Sequence, residues 1–105
     1  MVMMLSSIYD PAKILSSYLP YSRQAVNVKD TVIIPREKVR QFTASSDGGV
    51  ITIITIDGIT IDFYDYSWST GTKMMVISDG DKKIEVKLNN SVTVSLFEKE
   101  LWVIF

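Results

Sequence analysis

Two alternating, β-branched runs meet at Asp57-Gly58 within Val50-Ile51-Thr52-Ile53-Ile54-Thr55-Ile56-Asp57-Gly58-Ile59-Thr60-Ile61-Asp62-Phe63-Tyr64, and no other segment constrains the fold as strongly. An Asp-Gly pair in that setting is a hairpin signal, because the tight turns that match strand twist need positive φ, which both residues tolerate. A two-residue loop sets Ile56 opposite Ile59, Thr55 opposite Thr60, Ile54 opposite Ile61 and Ile53 opposite Asp62. One face then carries Ile54, Ile56, Ile59, Ile61 and Phe63, an ordinary core surface. The other carries Ile51, Ile53, Thr55, Thr60, Asp62 and Tyr64, extended by Tyr66 and Trp68 if the strand continues. Its mixture of aliphatics, polar-tipped aromatics and one carboxylate suits a partly buried or contact-making surface, with Tyr64, Tyr66 and Trp68 read as core against the N-terminal helix or as a subunit interface ahead of a stacking platform for bases or sugars.

No set of residues in the chain demands a particular chemistry. His and Cys are both absent, which removes the usual base near neutral pH, imidazole and thiolate metal ligands, disulfides, and every Ser-His or Cys-His nucleophile pair. Asp62 and Asp65 are three residues apart, so on a strand they face opposite ways and do not converge on one reacting atom. Asp79-Gly80-Asp81 has the beginning of a calcium loop, but the remaining ligand positions and the distal bidentate Glu are missing, which leaves a turn. A non-enzymatic protein without metal or cofactor is therefore expected. With 105 residues, 47% of them hydrophobic, and a net charge of -1, the chain reads as a single domain, helix-containing over 1–46 and an antiparallel meander over 47–105. The apolar start Met1-Val2-Met3-Met4-Leu5 lacks a basic flank and is interrupted by Ser6-Ser7, so it reads as structure rather than targeting. A soluble, cytoplasmic protein with no membrane part follows as the expectation. The Ile, Val and Tyr content and the scarcity of Gln are compatible with a thermophile or its virus.

Along the chain, Asp10-Pro11 predicts a helix start, and Ile14, Leu15, Tyr18 and Leu19 give one apolar face until Pro20. Residues 21–30 read as irregular. Thr31-Val32-Ile33-Ile34 is a short apolar run ended by Pro35. From Arg36 to Thr43 the spacing of Val39 and Phe42 favours a short helix, with a strand from Val39 to Ala44 as the alternative. Lys73 to Ser78 pairs with Lys83 to Leu88, placing Ile77 against Ile84 and Met75 against Val86. A turn at Asn89-Asn90-Ser91 then aligns Leu88 with Val92 and Val86 with Val94, and Phe97-Glu98-Lys99-Glu100 sets Leu96 opposite Leu101 and Val94 opposite Val103. Residues 50–105 thus read as a six-stranded antiparallel meander. Its last strand, Leu101-Trp102-Val103-Ile104-Phe105, is apolar on both faces and needs a cover, from the Val32 region, from Met1–Leu5, or from a second copy. The fold class is mainly β, a small barrel or sandwich with one or two short helices in the N-terminal half.

Val32-Ile33-Ile34-Pro35 followed by the basic Arg36-Glu37-Lys38-Val39-Arg40 resembles the strand-proline-helix segment of the swapped-hairpin transcription factors, over about residues 31–64. Phe42-Thr43-Ala44 and Ser45-Ser46-Asp47-Gly48-Gly49 replace the Leu-Gly and acidic-Gly positions usual in that family. The resemblance implies a DNA-binding regulator, with Arg23, Lys29, Arg36, Lys38 and Arg40 as nucleic-acid contacts. The favoured expectation is a protein that works by protein–protein contact, as a homo-oligomer or with another protein. Its interface would draw on Ile51, Ile53, Tyr64, Tyr66, Trp68, Trp102 and Ile104.

Overall fold

A computed structural model describes residues 10–25, 30–45, 49–65, 73–88 and 91–105, with the side chain of Asp65 left aside. Helix α1 (Pro11–Tyr18) starts where the sequence places it. Asp10 stays extended and its Oδ1 accepts from the Ala12 N–H at 3.0 Å, while Pro11, which has no N–H to satisfy, fills the first turn. Ala12, Leu15 and Leu19 are fully buried, so the helix lays one apolar stripe on the core and leaves its other face to solvent. Among the described residues no helix is long and apolar enough to cross a membrane.

Nine strands follow among the described residues: β1 (Arg23–Ala25), β2 (Thr31–Pro35), β3 (Val39–Ala44), β4 (Val50–Thr55), β5 (Thr60–Asp65), β6 (Lys73–Asp79), β7 (Lys82–Leu88), β8 (Thr93–Leu96) and β9 (Glu100–Ile104). They form two antiparallel sheets, one of order β1-β2-β9-β8 and one of order β3-β4-β5-β6-β7, stacked as a sandwich and not closed into a barrel. Val32, Ile34, Leu101, Val103 and Phe105 from the first sheet meet Ile53, Ile61, Phe63, Met75, Ile77 and Val86 from the second in one core, closed by the helix. The rings of Phe63 and Phe105 cross this core edge to face, centroids 6.2 Å apart.

The apolar last strand finds its cover in the Val32 region, with Val103 opposite Val32 and Leu101 opposite Ile34. It lies inside its sheet, between β2 and β8, and its edges are not free. The β6–β7 register is the expected one, as is that of β8 and β9, where Leu96 faces Leu101 and Val94 faces Val103.

Four expectations need correction. The central hairpin pairs Ile54 with Thr60, Ile53 with Ile61, Thr52 with Asp62 and Ile51 with Phe63, one residue away from the two-residue-loop register. Its loop has three residues, Ile56-Asp57-Gly58. The Gly58 N–H donates to Thr55 O at 3.0 Å, the Thr55 N–H donates to Ile59 O at 2.9 Å, and only Gly58 has positive φ, at +89°. That is a turn closed by a glycine bulge, and the one-residue slip exchanges the faces of β4: Ile53 and Thr55 become fully buried, while Ile54 shares the outer face with Asp62. The segment after Pro35 is a 3-10 turn over Arg36–Lys38 followed by β3, which is the alternative strand from Val39 to Ala44 and not the favoured helix to Thr43, because strand pairing with β4 outweighs a weak helical spacing. Residues 23–25, read as irregular, pair with β2. Finally, the meander does not run on through β8: β7 ends the five-stranded sheet, and the chain crosses to the other layer before β8.

Candidate functional site

The 3-10 turn Arg36–Lys38 carries the chain from one sheet to the other, and two neighbouring turns are fastened to it. On one side, the Arg36 N–H donates to Lys99 O at 2.9 Å and its Nη1 donates to Phe97 O at 2.9 Å, which holds the β8–β9 turn. On the other, the Ile56 N–H donates to Lys38 O at 2.9 Å, which holds the tip of the β4–β5 hairpin. These two turns and the end of β8 present the large exposed apolar side chains found among the described residues: Ile56 at 50% exposure, Phe97 at 48% and Leu96 at 42%. Isolated exposed hydrophobics need no explanation, but three flanking a single crossover form a feature.

Polar contacts order the ground beside Phe97. Its ring meets Trp102 edge to face with centroids 5.3 Å apart. The Trp102 Nε1–H donates to Glu100 Oε1 at 2.9 Å, and Glu100 Oε2 pairs with Arg23 Nη2 at 2.7 Å. The Trp102 hydrogen bond, aided by the Arg23 guanidinium, holds the Glu100 carboxyl below its usual range. Near the hairpin tip, Lys38 Nζ lies 5.6 Å from the centre of the Tyr21 ring. The Tyr21 hydroxyl is buried near Thr55 and Asp57 without a well-formed hydrogen bond to either. Burial pushes its pKa up, with the Thr55 hydroxyl partly opposing the rise and the Asp57 carboxylate adding to it.

The sequence-predicted interface residues are dispersed. Ile53 is fully buried and Ile51 packs against the core, so the corrected register takes both from the contact face. Tyr64 lies half-buried on the outer face of the five-stranded sheet, in an open groove with Asp62, Met74, Val76 and Glu85. Trp102 and Ile104 are half-buried on β9, alternating with Leu101 and Val103 that face the core. Tyr66 and Trp68 lie outside the described residues, as does Lys29. Of the basic residues, Arg23 is paired with Glu100, Arg36 is tied to the β8–β9 turn, Lys38 faces Tyr21, and Arg40 is exposed at the irregularity where β3 meets β4. The segment resembling swapped-hairpin factors is strand, 3-10 turn and strand.

Asp62 accepts from the Thr52 hydroxyl at 2.6 Å across the β4–β5 pair. Among the described residues no three His, Cys, Asp or Glu side chains are grouped to hold a metal ion. Leu96, Phe97 and Ile56 are the site residues that sequence reasoning missed. An aromatic at the head of the otherwise charged turn Phe97-Glu98-Lys99-Glu100 was the available signal.

The chain matches no protein-family model, no curated protein and no solved structure.

Proposed function

We propose that this protein works by protein–protein contact, as a self-associating β-sandwich that engages a partner protein through the end of the sandwich built around Phe97. The single observation that carries the reading is the placement of Phe97 and Ile56, exposed on two turns fastened to one 3-10 crossover, with Leu96 exposed at the end of β8 beside Phe97. Contact interfaces take their energy from a few well-supported apolar and aromatic anchors ringed by polar groups. Phe97 is such an anchor: Trp102 supports its ring, and its backbone is held by Arg36 and Glu100. Both charge signs surround it, with Arg36 and Lys99 beside Glu98 and Glu100, which favours a mixed polar rim over a phosphate-binding surface. Arg23 and Arg36 are engaged within the chain, by Glu100 and by Phe97 O, which gives the DNA-binding reading no specific support.

A displayed random-peptide selection against the full chain, counter-selected on Phe97→Asp of matched melting temperature, tests the reading. Peptides with apolar anchors are expected to bind the wild type and lose at least tenfold in affinity on the variant, the loss typical of an anchor residue. Peptides that bind both proteins equally, or an empty selection, would refute a contact site at this end.

A further inference from the structure

Strand β7 is one edge of the five-stranded sheet, and its backbone pattern can be worked out from its hairpin with β6. The two strands are joined by Gly80-Asp81, with Gly80 at φ +64° and Asp79 opposite Lys82. In such a two-residue turn the flanking pair is hydrogen-bonded, and an antiparallel ladder then alternates bonded and non-bonded pairs. Lys82, Ile84, Val86 and Leu88 therefore direct their N–H and C=O toward β6. Lys83, Glu85 and Lys87 direct theirs outward, where no strand among the described residues pairs with them. The other edges are blunted: β1 has 3 residues, β8 has 4, and β3 is broken by a register shift after Val39. β7 offers 7 residues without interruption.

Lysines on an edge repel a strand that has no acids. Here the signs alternate on one face, Lys83-Glu85-Lys87, and Ile84, Val86 and Leu88 share the other. We propose that a second copy of this chain pairs antiparallel along β7, with the twofold axis passing between the two Val86 residues. Glu85 of each copy then faces Lys87 of the other, Ile84 faces Leu88, and Val86 meets its own counterpart. The outward backbone groups of Glu85 and Lys87 also meet, so the ladder closes. An axis at Glu85 sets Glu85 against Glu85 and Lys83 against Lys87, both like-charged pairs. An axis at Ile84 satisfies the charges but presses Lys82 against Val86 on the apolar face. An axis between adjacent residues opposes outward backbone groups to inward ones and closes no ladder. The Val86 axis alone satisfies backbone, charge and apolar face together. This inference rests on the self-association part of the proposed function and says where that contact lies.

Sedimentation or light scattering across a dilution series would compare the wild type, Glu85→Lys, and Glu85→Lys combined with Lys87→Glu, each checked for an unchanged melting curve. A dimer is expected for the wild type, at least tenfold weaker for Glu85→Lys and recovered in the double variant. The chain has no cysteine, so Val86→Cys supplies its sole thiol. Facing Cα atoms about 4.5 Å apart in a non-hydrogen-bonded pair lie within disulfide reach, so this variant is expected to cross-link to a dimer on oxidation while Ile84→Cys does not. A wild-type dimer that Glu85→Lys leaves intact and Val86→Cys fails to cross-link would overturn the β7 contact while self-association stood. Cross-linking by Ile84→Cys in place of Val86→Cys would overturn the register. A wild type that stays monomeric at every concentration would refute both.

Discussion

Tyr21 holds a buried hydroxyl near two polar neighbours and bonds well to neither. An unpaired buried hydroxyl costs free energy that a ring without it does not. Tyr21→Phe keeps the aromatic surface under Lys38 and is expected to leave stability unchanged or raise it by up to about 1 kcal/mol, read from urea unfolding. Alkaline pH should widen the gap. Because folding raises the phenol pKa, the folded chain keeps this proton longer than the unfolded chain. The favourable contribution is complete below the ordinary phenol range of ~10 and is lost as pH climbs through the raised value. Wild type should therefore lose stability relative to Tyr21→Phe above that range, and parallel curves would show that the hydroxyl is solvated after all.

Between neighbouring elements, a single residue of register decides which isoleucines hold the molecule together. Ile53 is fully buried opposite Ile61, whereas Ile56 rides the hairpin tip at 50% exposure. Ile53→Ala is expected to cost 2–5 kcal/mol, as is usual for emptying a core site, and Ile56→Ala within about 0.5 kcal/mol, as at a surface position. Chemical unfolding of the two variants would check this, and equal costs would contradict the three-residue loop. The slip also explains what was legible in the sequence. Local signals worked where the chemistry is local: the Asp10 cap, the β6–β7 turn at Gly80, and the alternation of β8 against β9. Asp57-Gly58 announces a hairpin, but loops of two and three residues use the same pair, and the choice depends on how Ile59 and Thr55 pack. Alternation likewise cannot tell whether β8 extends a sheet or opens the facing one, since both place Val94 against the core. At the candidate site, Trp102 was readable as part of an apolar strand. The approach of Phe97 and Ile56 to one turn depends on a crossover that no local pattern encodes.

Across the whole molecule, the two sheets have no separate interiors. Val32, Ile34, Leu101 and Val103 on one side share a single core with Ile53, Ile61, Met75 and Ile77 on the other. Neither layer can keep its apolar face dry once the other leaves, so unfolding is expected to be one cooperative event. Trp102 fluorescence, isolated in a Trp68→Phe background, and far-ultraviolet circular dichroism should report the same midpoint in urea. Separated midpoints would mean that the sheets unfold independently.

The position of β9 between β2 and β8 also orders events in time. Strands β3 to β7 meet their partners in succession along the chain, so that layer can assemble while synthesis proceeds. Thr31 must wait for Ile104. Until the ribosome has released β9, β2 carries Val32 and Ile34 with no strand beside them on that side, and the nascent chain passes through a stage with one finished layer and an uncovered apolar face. That interval is when a holding chaperone has most to protect.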